Sequence, residues 1–102
     1  MKHKFALVTG ASEGIGFEFC KLLASKGYNI VLVARTLEKL QKAANSLEES
    51  FNIHAHVISC DLASPNAAQS IFDEVSSLNM EVELLVNNAG LLFNGFFKGC
   101  NV

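Results

Sequence analysis

Three glycines follow the first apolar segment of the chain, in the stretch LVTGASEGIGFEF. Gly10, Gly14 and Gly16 have the spacing G-x-x-x-G-x-G, which differs from both the G-x-G-x-x-G dinucleotide fingerprint and the G-x-x-x-x-G-K-[ST] P-loop. Glycine allows a sharp turn and a close approach of the backbone to a ligand, and the free amides at a helix N-terminus favour an anion. The spacing predicts a phosphate-cradling loop; a tight turn without a ligand is the alternative.

The elements that must position this loop alternate along the chain. Apolar runs occur at 5–8, 30–34, 53–58 and 82–86. The three segments between them have helical periodicity: the first runs from Gly14 to near Gly27, the second follows Thr36 as N-cap, and the third has Ser64 as N-cap with Pro65 at its first position. Short strands that are apolar on both faces and separated by helices indicate a parallel sheet covered on both sides. We therefore predict an α/β fold, a Rossmann-like doubly wound parallel sheet of about four strands in the order β-α-β-α-β-α-β.

Each predicted helix has an apolar stripe that we expect to face the sheet. The stripes comprise Ile15, Phe19, Leu22 and Leu23 in the first helix, Leu37, Leu40, Ala44, Leu47 and Phe51 in the second, and Ala68, Ile71, Phe72, Val75 and Leu78 in the third.

Composition excludes several classes of protein. With 102 residues, 50% hydrophobic content and a net charge of −2, the chain is predicted to be one globular domain with no nucleic-acid partner. No apolar stretch approaches the ~20 residues of a membrane span, so the expected location is cytoplasmic. The three cysteines lie far apart without a C-x-x-C pair, which favours buried thiols over a disulfide or zinc site. His54 and His56 alternate on one strand, but no third ligand is evident and no metal site is predicted.

Three separate motifs carry a family resemblance. Thr9 to Gly16, TGASEGIG, resembles the T-G-x-x-x-G-x-G loop of the short-chain dehydrogenase/reductase family. Asn87-Asn88-Ala89-Gly90 stands after the fourth apolar run, where the family has its N-N-A-G motif. Asp61-Leu62 follows the third run, where the family places an acid that meets the adenine. The match covers the chain up to about Gly90, so we divide it into a cofactor-binding half-domain, 1–90, and an apolar tail, 91–102.

The resemblance implies a set of cofactor-binding residues. The loop glycines Gly10, Gly14 and Gly16 would wrap a pyrophosphate, with further contacts from Ser12 and Ile15. Asp61 and Leu62 would bracket the adenine, and Asn87, Ala89 and Gly90 would line the ribose side. Structural roles are the alternative for three of these places: Thr9 and the asparagines could tie the loop to neighbouring strands, and Asp61 could be a cap before Ser64.

The residue after the second apolar run indicates which dinucleotide is bound. NAD sites place an acid there to bond the ribose 2′-OH, whereas this chain has Ala34 followed by Arg35. A guanidinium suits a phosphate, so NADP(H) is favoured over NAD(H). Glu13 argues against this assignment, because NADP-preferring relatives often have a basic residue at its position. A surface ion pair with Glu38 is the alternative role of Arg35.

The catalytic residues of the family have no counterpart here. The family uses a serine and a Tyr-x-x-x-Lys pair, but the chain's one tyrosine, Tyr28, is followed four residues later by Leu32, and no serine follows Ser77. We predict that the parent enzyme transfers a hydride between NADP(H) and a carbonyl or alcohol, and that this truncated chain alone is inactive. The alternatives are a non-enzymatic module that binds a dinucleotide or docks a partner, and a non-functional remnant. The fourth strand's open edge and the apolar tail are expected to favour self-association or partner binding.

Overall fold

The computed structural model describes residues 4–88, which form strands and helices in strict alternation. The strands are β1 (Lys4–Thr9), β2 (Asn29–Ala34), β3 (Ala55–Ser59) and β4 (Glu81–Val86). The helices are α1 (Gly14–Ser25), α2 (Leu37–Phe51) and α3 (Ala67–Ser77). The predicted β-α-β-α-β-α-β order is confirmed; the tail at 91–102 lies outside the described residues.

The four strands form one parallel sheet in the order β3-β2-β1-β4. The central strand β1 pairs with β2 on one side, where Val8 is opposite Leu32, and with β4 on the other, where Val8 is opposite Val86. The chain therefore builds the sheet outward from β1 in one direction through β2 and β3, and then crosses back to place β4 on the other side. This reversal marks a topological switch point beside β1.

Both faces of the sheet are covered, because successive strand residues point to opposite sides. Val8 and Leu32 belong to a buried cluster with residues of α1 and α2, including Cys20, Leu40 and Leu47. The alternate residues Leu7, Val31 and Val33 belong to a second cluster with Ile71 and Val75 of α3. Helices on both faces of a parallel sheet confirm the predicted doubly wound arrangement.

The predicted apolar face of α1 is confirmed at Phe19 and Leu23 and is wrong at Ile15 and Leu22. Its buried residues are Gly16, Cys20, Leu23 and Ala24, a spacing of four, three and one that marks a helix face. Ile15 is 69% exposed and Leu22 is 51% exposed. Neighbouring residues on a helix point about 100° apart, so α1 is turned by about one residue from the predicted orientation. Small side chains face the sheet, where they allow the helix to pack closely against it.

The stripes of α2 and α3 are confirmed at their centres and differ at their ends. Leu40 and Leu47 of α2 and Ile71 and Val75 of α3 are buried. Leu37 at the start of α2 is about half exposed, as is Leu78, which is the C-cap of α3. The buried part of each stripe is therefore in the middle turns of the helix.

The predicted start of α3 is wrong by two residues. The helix begins at Ala67 after Asn66, not at Pro65 after Ser64. The carbonyl oxygen of Asp61 accepts the amide N–H of Ser64, and the carbonyl oxygen of Ser64 accepts that of Ala67. These bonds place Pro65 second in a tight turn, a position where its fixed φ is also favoured.

The end of α1 follows the prediction. Gly27 has a φ of +94°, and its N–H donates to the carbonyl of Ala24 while the N–H of Tyr28 donates to that of Leu23. This pair of bonds is the Schellman motif, which needs a left-handed residue after the helix and favours glycine there. Thr36 is the N-cap of α2, as predicted, but its side chain makes no capping hydrogen bond.

The cysteine thiols described by the structure are free. Cys20 is buried and Cys60 is half-buried, while Cys100 lies outside the described residues. Burial raises the pKa of the Cys20 thiol to about 12, because a thiolate would lose its hydration in the core. Within residues 4–88, no helix is both long and apolar enough to cross a membrane.

Candidate functional site

The carboxyl ends of β1 and β4 lie side by side at the switch point of the sheet. In open α/β sheets, ligands bind in the crevice outside these ends, where the strand order reverses. The glycine loop follows β1, and Asn87 and Asn88 follow β4. The topology therefore brings two of the three predicted motifs to the place where a doubly wound sheet binds a ligand.

The three loop glycines are required for different physical reasons. Gly10 and Gly14 have φ values of +64° and +63°, a region that L-residues with a side chain rarely adopt. Gly16 lies inside α1, where a Cβ would stand 2.0 Å from the carbonyl oxygen of Gly10. A Cβ at Gly14 would meet nothing within 4 Å. The loop therefore packs tightly against α1 at Gly16 and faces open space at Gly14.

The start of α1 is free of side-chain caps. Glu13 is the N-cap and has extended backbone, its carboxylate makes no capping hydrogen bond, and the first turn has no acidic residue. The first amides of a helix lack partners within the helix and attract negative charge. Ser12 is half-buried beside this turn and Ile15 is exposed on it. This arrangement fits a phosphate group held by backbone N–H groups.

Side-chain contacts tie the loop to the neighbouring strands. The buried hydroxyl of Thr9 donates to the Asn87 side-chain oxygen over 3.3 Å, between residues 78 positions apart. The side-chain nitrogen of Asn88 would lie 3.1 Å from a Cβ at Gly16, and the Ala11 amide donates to the carbonyl of Val33 in β2. The structural role predicted as an alternative is therefore present for Thr9 and Asn87. Ala89 and Gly90 lie outside the described residues.

The segment after β3 is a turn shaped by Asp61. One carboxylate oxygen of Asp61 accepts the Ala63 amide N–H at 3.0 Å. The side chain is exposed, and Leu62 packs against the cluster under α3. Asp61 thus shapes the turn from Asp61 to Ser64, but it caps no helix, because α3 begins only at Ala67 after Asn66. Burial, and then the negative charge of Asp61, raise the pKa of the adjacent Cys60 thiol, which keeps it protonated.

Arg35 stands at the carboxyl end of β2 with its side chain exposed. The backbone carbonyl oxygen of Arg35 accepts a hydrogen bond from the Ser59 hydroxyl at 2.9 Å. This bond links the carboxyl end of β2 to that of β3. Within residues 4–88, the guanidinium makes no ion pair, so the predicted alternative pair with Glu38 is not formed. Arg35 therefore has its charge available to a ligand at this edge.

The histidines take part in ordinary polar contacts. His56 bonds to the carboxylate of Glu74 at 2.7 Å, which joins β3 to α3. The His54 amide donates to the Asn29 side-chain oxygen. In the part of the chain that the structure describes, no group of three His, Cys, Asp or Glu side chains could hold a metal ion.

Comparison with known proteins agrees with this geometry. The model of the short chain dehydrogenase family matches residues 4–101. The chain belongs to the short-chain dehydrogenase family. It is 45% identical over 89 residues to a very-long-chain 3-oxoacyl-CoA reductase of Debaryomyces hansenii, covering 85% of this chain and 25% of the relative. It is 38% identical to a fatty acyl-CoA reductase of Acinetobacter baylyi, covering 88% of this chain and 30% of that protein.

Solved structures of the short-chain dehydrogenase family share this fold. L-sorbose reductase from Gluconobacter frateurii, complexed with NADPH and L-sorbose, superposes with a TM-score of 0.80 at 38% identity. The match covers 88% of this chain and 34% of that one. A short-chain dehydrogenase from Sphingobium yanoikuyae in complex with NADPH gives a TM-score of 0.75 at 30% identity, over 86% and 34% of the two chains. The chain thus spans about a quarter to a third of the length of these family members.

Tyr28 lies away from the family's cofactor site. It follows Gly27 in the turn between α1 and β2, at the amino ends of the strands, where it lines a hollow with Lys4 and Lys26. The glycine loop and Arg35 are at the opposite, carboxyl ends. Tyr28 and the candidate binding residues are therefore at opposite edges of the sheet.

One feature of the site has no local signal in the sequence. The ammonium of Lys39 in α2 forms an ion pair with the carboxylate of Glu13 in the loop, at 3.1 Å. The two residues are 26 positions apart and belong to no shared motif. Only the packing of α2 beside α1 brings them together.

Proposed function

We propose that this chain is the NADP(H)-binding, N-terminal portion of a short-chain dehydrogenase/reductase. The observation that carries the proposal is the uncapped glycine loop beside the switch point of the sheet, with Gly14 facing open space. The loop amides from Gly10 to Gly16, with Ser12 and Ile15, would hold the pyrophosphate. Asp61 and Leu62 would flank the adenine, and Asn87, Ala89 and Gly90 the ribose side.

The proposed preference for NADP(H) rests on Arg35. Its exposed guanidinium makes no ion pair within residues 4–88, and no acid follows β2 to bond a ribose 2′-OH. A guanidinium forms strong charge-assisted hydrogen bonds with phosphate. The NADPH in the structures of the two family members named above supports the same choice.

The whole enzyme is proposed to use the bound NADP(H) as a hydride donor or acceptor for a carbonyl or alcohol substrate. The matched relatives carry names for different substrates, an acyl-CoA thioester in one case and a sugar in another, so the proposed substrate class is no narrower. This chain alone has no Tyr-x-x-x-Lys pair, and we expect it to be inactive. The cytoplasmic location stays a prediction.

Calorimetric titration of the purified chain with NADPH and NADH tests the proposal. We expect NADPH to bind roughly tenfold more tightly, and Arg35→Ala to reduce this difference to about threefold or less. Lys26→Ala is the matched control, because Lys26 is an exposed cation at the opposite edge of the sheet. A folded sample that gives no heat with either dinucleotide would refute the proposal.

A non-catalytic role in association is the second candidate. β4 is at an edge of the described sheet, and Leu84 is only half-buried there. Unprotected strand edges favour association, so we propose that this edge mediates self-association or contact with another part of the enzyme. Sedimentation velocity over a range of concentrations tests the self-association: the mass should rise with concentration, and a constant monomer mass would contradict it.

A further inference from the structure

A groove lies between the glycine loop and α2. It has a volume of about 390 Å³ and is lined by Ser12, Glu13, Phe17, Lys39, Lys42, Ala43 and Ser46. The Lys39–Glu13 ion pair is part of its wall, with 3.1 Å between the ammonium nitrogen and a carboxylate oxygen. Arg35 lies four residues before Lys39, at the end of β2 that α2 follows. The groove therefore lies between the loop and the first turns of α2, the helix that follows Arg35 in the chain.

The ion pair changes the effect that Glu13 is expected to have on phosphate binding. A free carboxylate next to the loop would repel a phosphate, which is the argument against NADP(H) from the sequence alone. With Lys39 bound to it, Glu13 contributes little net negative charge to the groove. The side chains are 55% and 71% exposed, for Lys39 and Glu13 respectively, and exposed pairs of this kind are weak. A more strongly charged partner can therefore displace the carboxylate.

We propose that Lys39 is a specificity-determining residue for the 2′-phosphate of NADP(H), and that Glu13 is its partner when no phosphate is present. This inference rests on the proposed dinucleotide-binding function. A phosphate monoester carries a charge of about −1.5 to −2 at neutral pH, more than the single charge of Glu13. The ammonium of Lys39 moves from the carboxylate to the phosphate, which it then shares with the guanidinium of Arg35.

The same exchange does not occur with NAD(H). A ribose 2′-OH is neutral, so it attracts the ammonium of Lys39 more weakly than the charged carboxylate of Glu13 does. Lys39 then stays on Glu13, and the affinity for NAD(H) depends on Lys39 only through the neutralisation of that carboxylate. The ion pair thus makes the site selective without a basic residue at position 13, where NADP-preferring relatives often have one.

A double-mutant cycle on the full 102-residue chain, read by calorimetry, tests this assignment. We expect Lys39→Gln to weaken NADPH binding roughly tenfold, the loss of one charged partner. NADH binding should weaken less, by about threefold, because only the uncompensated Glu13 carboxylate beside the pyrophosphate acts on it. Glu13→Gln should strengthen NADPH binding about threefold, because the phosphate no longer competes with an exposed ion pair. The double variant should bind NADPH more tightly than Lys39→Gln alone, since the uncompensated carboxylate is gone. Lys39→Arg should keep the preference for NADPH.

The matched control is Lys26→Gln, which removes an exposed cation at the opposite edge of the sheet. It should leave both affinities unchanged. If the wild-type chain binds both cofactors and Lys39→Gln weakens them equally or not at all, the role of Lys39 is refuted and the dinucleotide-binding function stands. If the folded wild-type chain binds neither cofactor, both proposals fail.

Discussion

The three glycines of the loop region serve two structural purposes: a left-handed backbone and a close backbone contact. Gly10 and Gly14 permit a left-handed backbone, while Gly16 leaves room for the carbonyl of Gly10 against α1. The sequence predicted that all three belong to one ligand loop, since glycine marks tight turns and close approaches alike. Which glycine serves which purpose depends on φ and on contacts, and neither follows from spacing.

Alanine substitutions separate the two kinds of glycine. Gly16→Ala should lower the free energy of unfolding by roughly 3 kcal/mol, the cost of forcing a methyl into a packed contact, because its Cβ would stand 2.0 Å from a backbone oxygen. Gly14→Ala should cost about 1 kcal/mol, from backbone strain alone, because its Cβ would point into open space. Urea unfolding measures both; equal losses would contradict this account of the loop.

Residue identities in the site were predictable where they form local motifs. The loop, Asp61-Leu62 and the asparagines after β4 each stand within a few residues of a strand end, so sequence order sets their place. The sequence predicted that Thr9 and the asparagines could tie the loop to neighbouring strands, but it did not predict that Thr9 bonds to Asn87. The Glu13–Lys39 ion pair was not foreseen, because the contact depends on how two helices pack.

At the scale of elements, strand patterns were more informative than helix patterns. Residues of β1 and β2 are buried on both faces, so the continuous apolar run alone identifies them. A helix buries one face only, and α1 has two adjacent apolar stripes. The prediction followed the stripe with the larger side chains. In the structure the helix packs closely through the neighbouring stripe, whose small residues Gly16, Cys20 and Ala24 are buried.

Two neighbouring leucines test the orientation of α1. Leu23 is 7% exposed and Leu22 is 51% exposed. Leu23→Ala should reduce the free energy of unfolding by roughly 3 kcal/mol, as for a buried leucine that leaves a cavity. Leu22→Ala should cost less than about 1 kcal/mol. The same urea titration serves for both, and an equal or larger loss for Leu22→Ala would contradict the orientation of α1 in the structure.

The boundary of α3 shows why helix starts are hard to predict. Ser64-Pro65 has the residue types of a helix N-terminus, but the same types also favour a tight turn. The bonds from Asp61 to Ala63 and Ser64 decide for the turn. Asp61 is thus both a site candidate and the residue that delays the helix.

At the scale of the whole molecule, the sheet gathers motifs that are far apart in the chain. The order β3-β2-β1-β4 sets the ends of β1 and β4 next to each other and the end of β2 beside them. The glycine loop, Arg35 and the asparagines therefore share one edge, while the left-handed Gly27, Asn52 and Asn79 follow the three helices at the other. This separation provides an internal control for any binding experiment.

Amide chemical-shift mapping with NADPH on the isotopically labelled chain tests the central claim most directly. The claim is that this chain holds a dinucleotide at the carboxyl edge of its sheet. We predict saturable shifts at the loop from Gly10 to Gly16, at Arg35, and at Asp61 and Leu62, with none at Gly27, Asn52 or Asn79. A well-dispersed spectrum that does not change on addition of NADPH, or that changes at the amino edge instead, would contradict the claim.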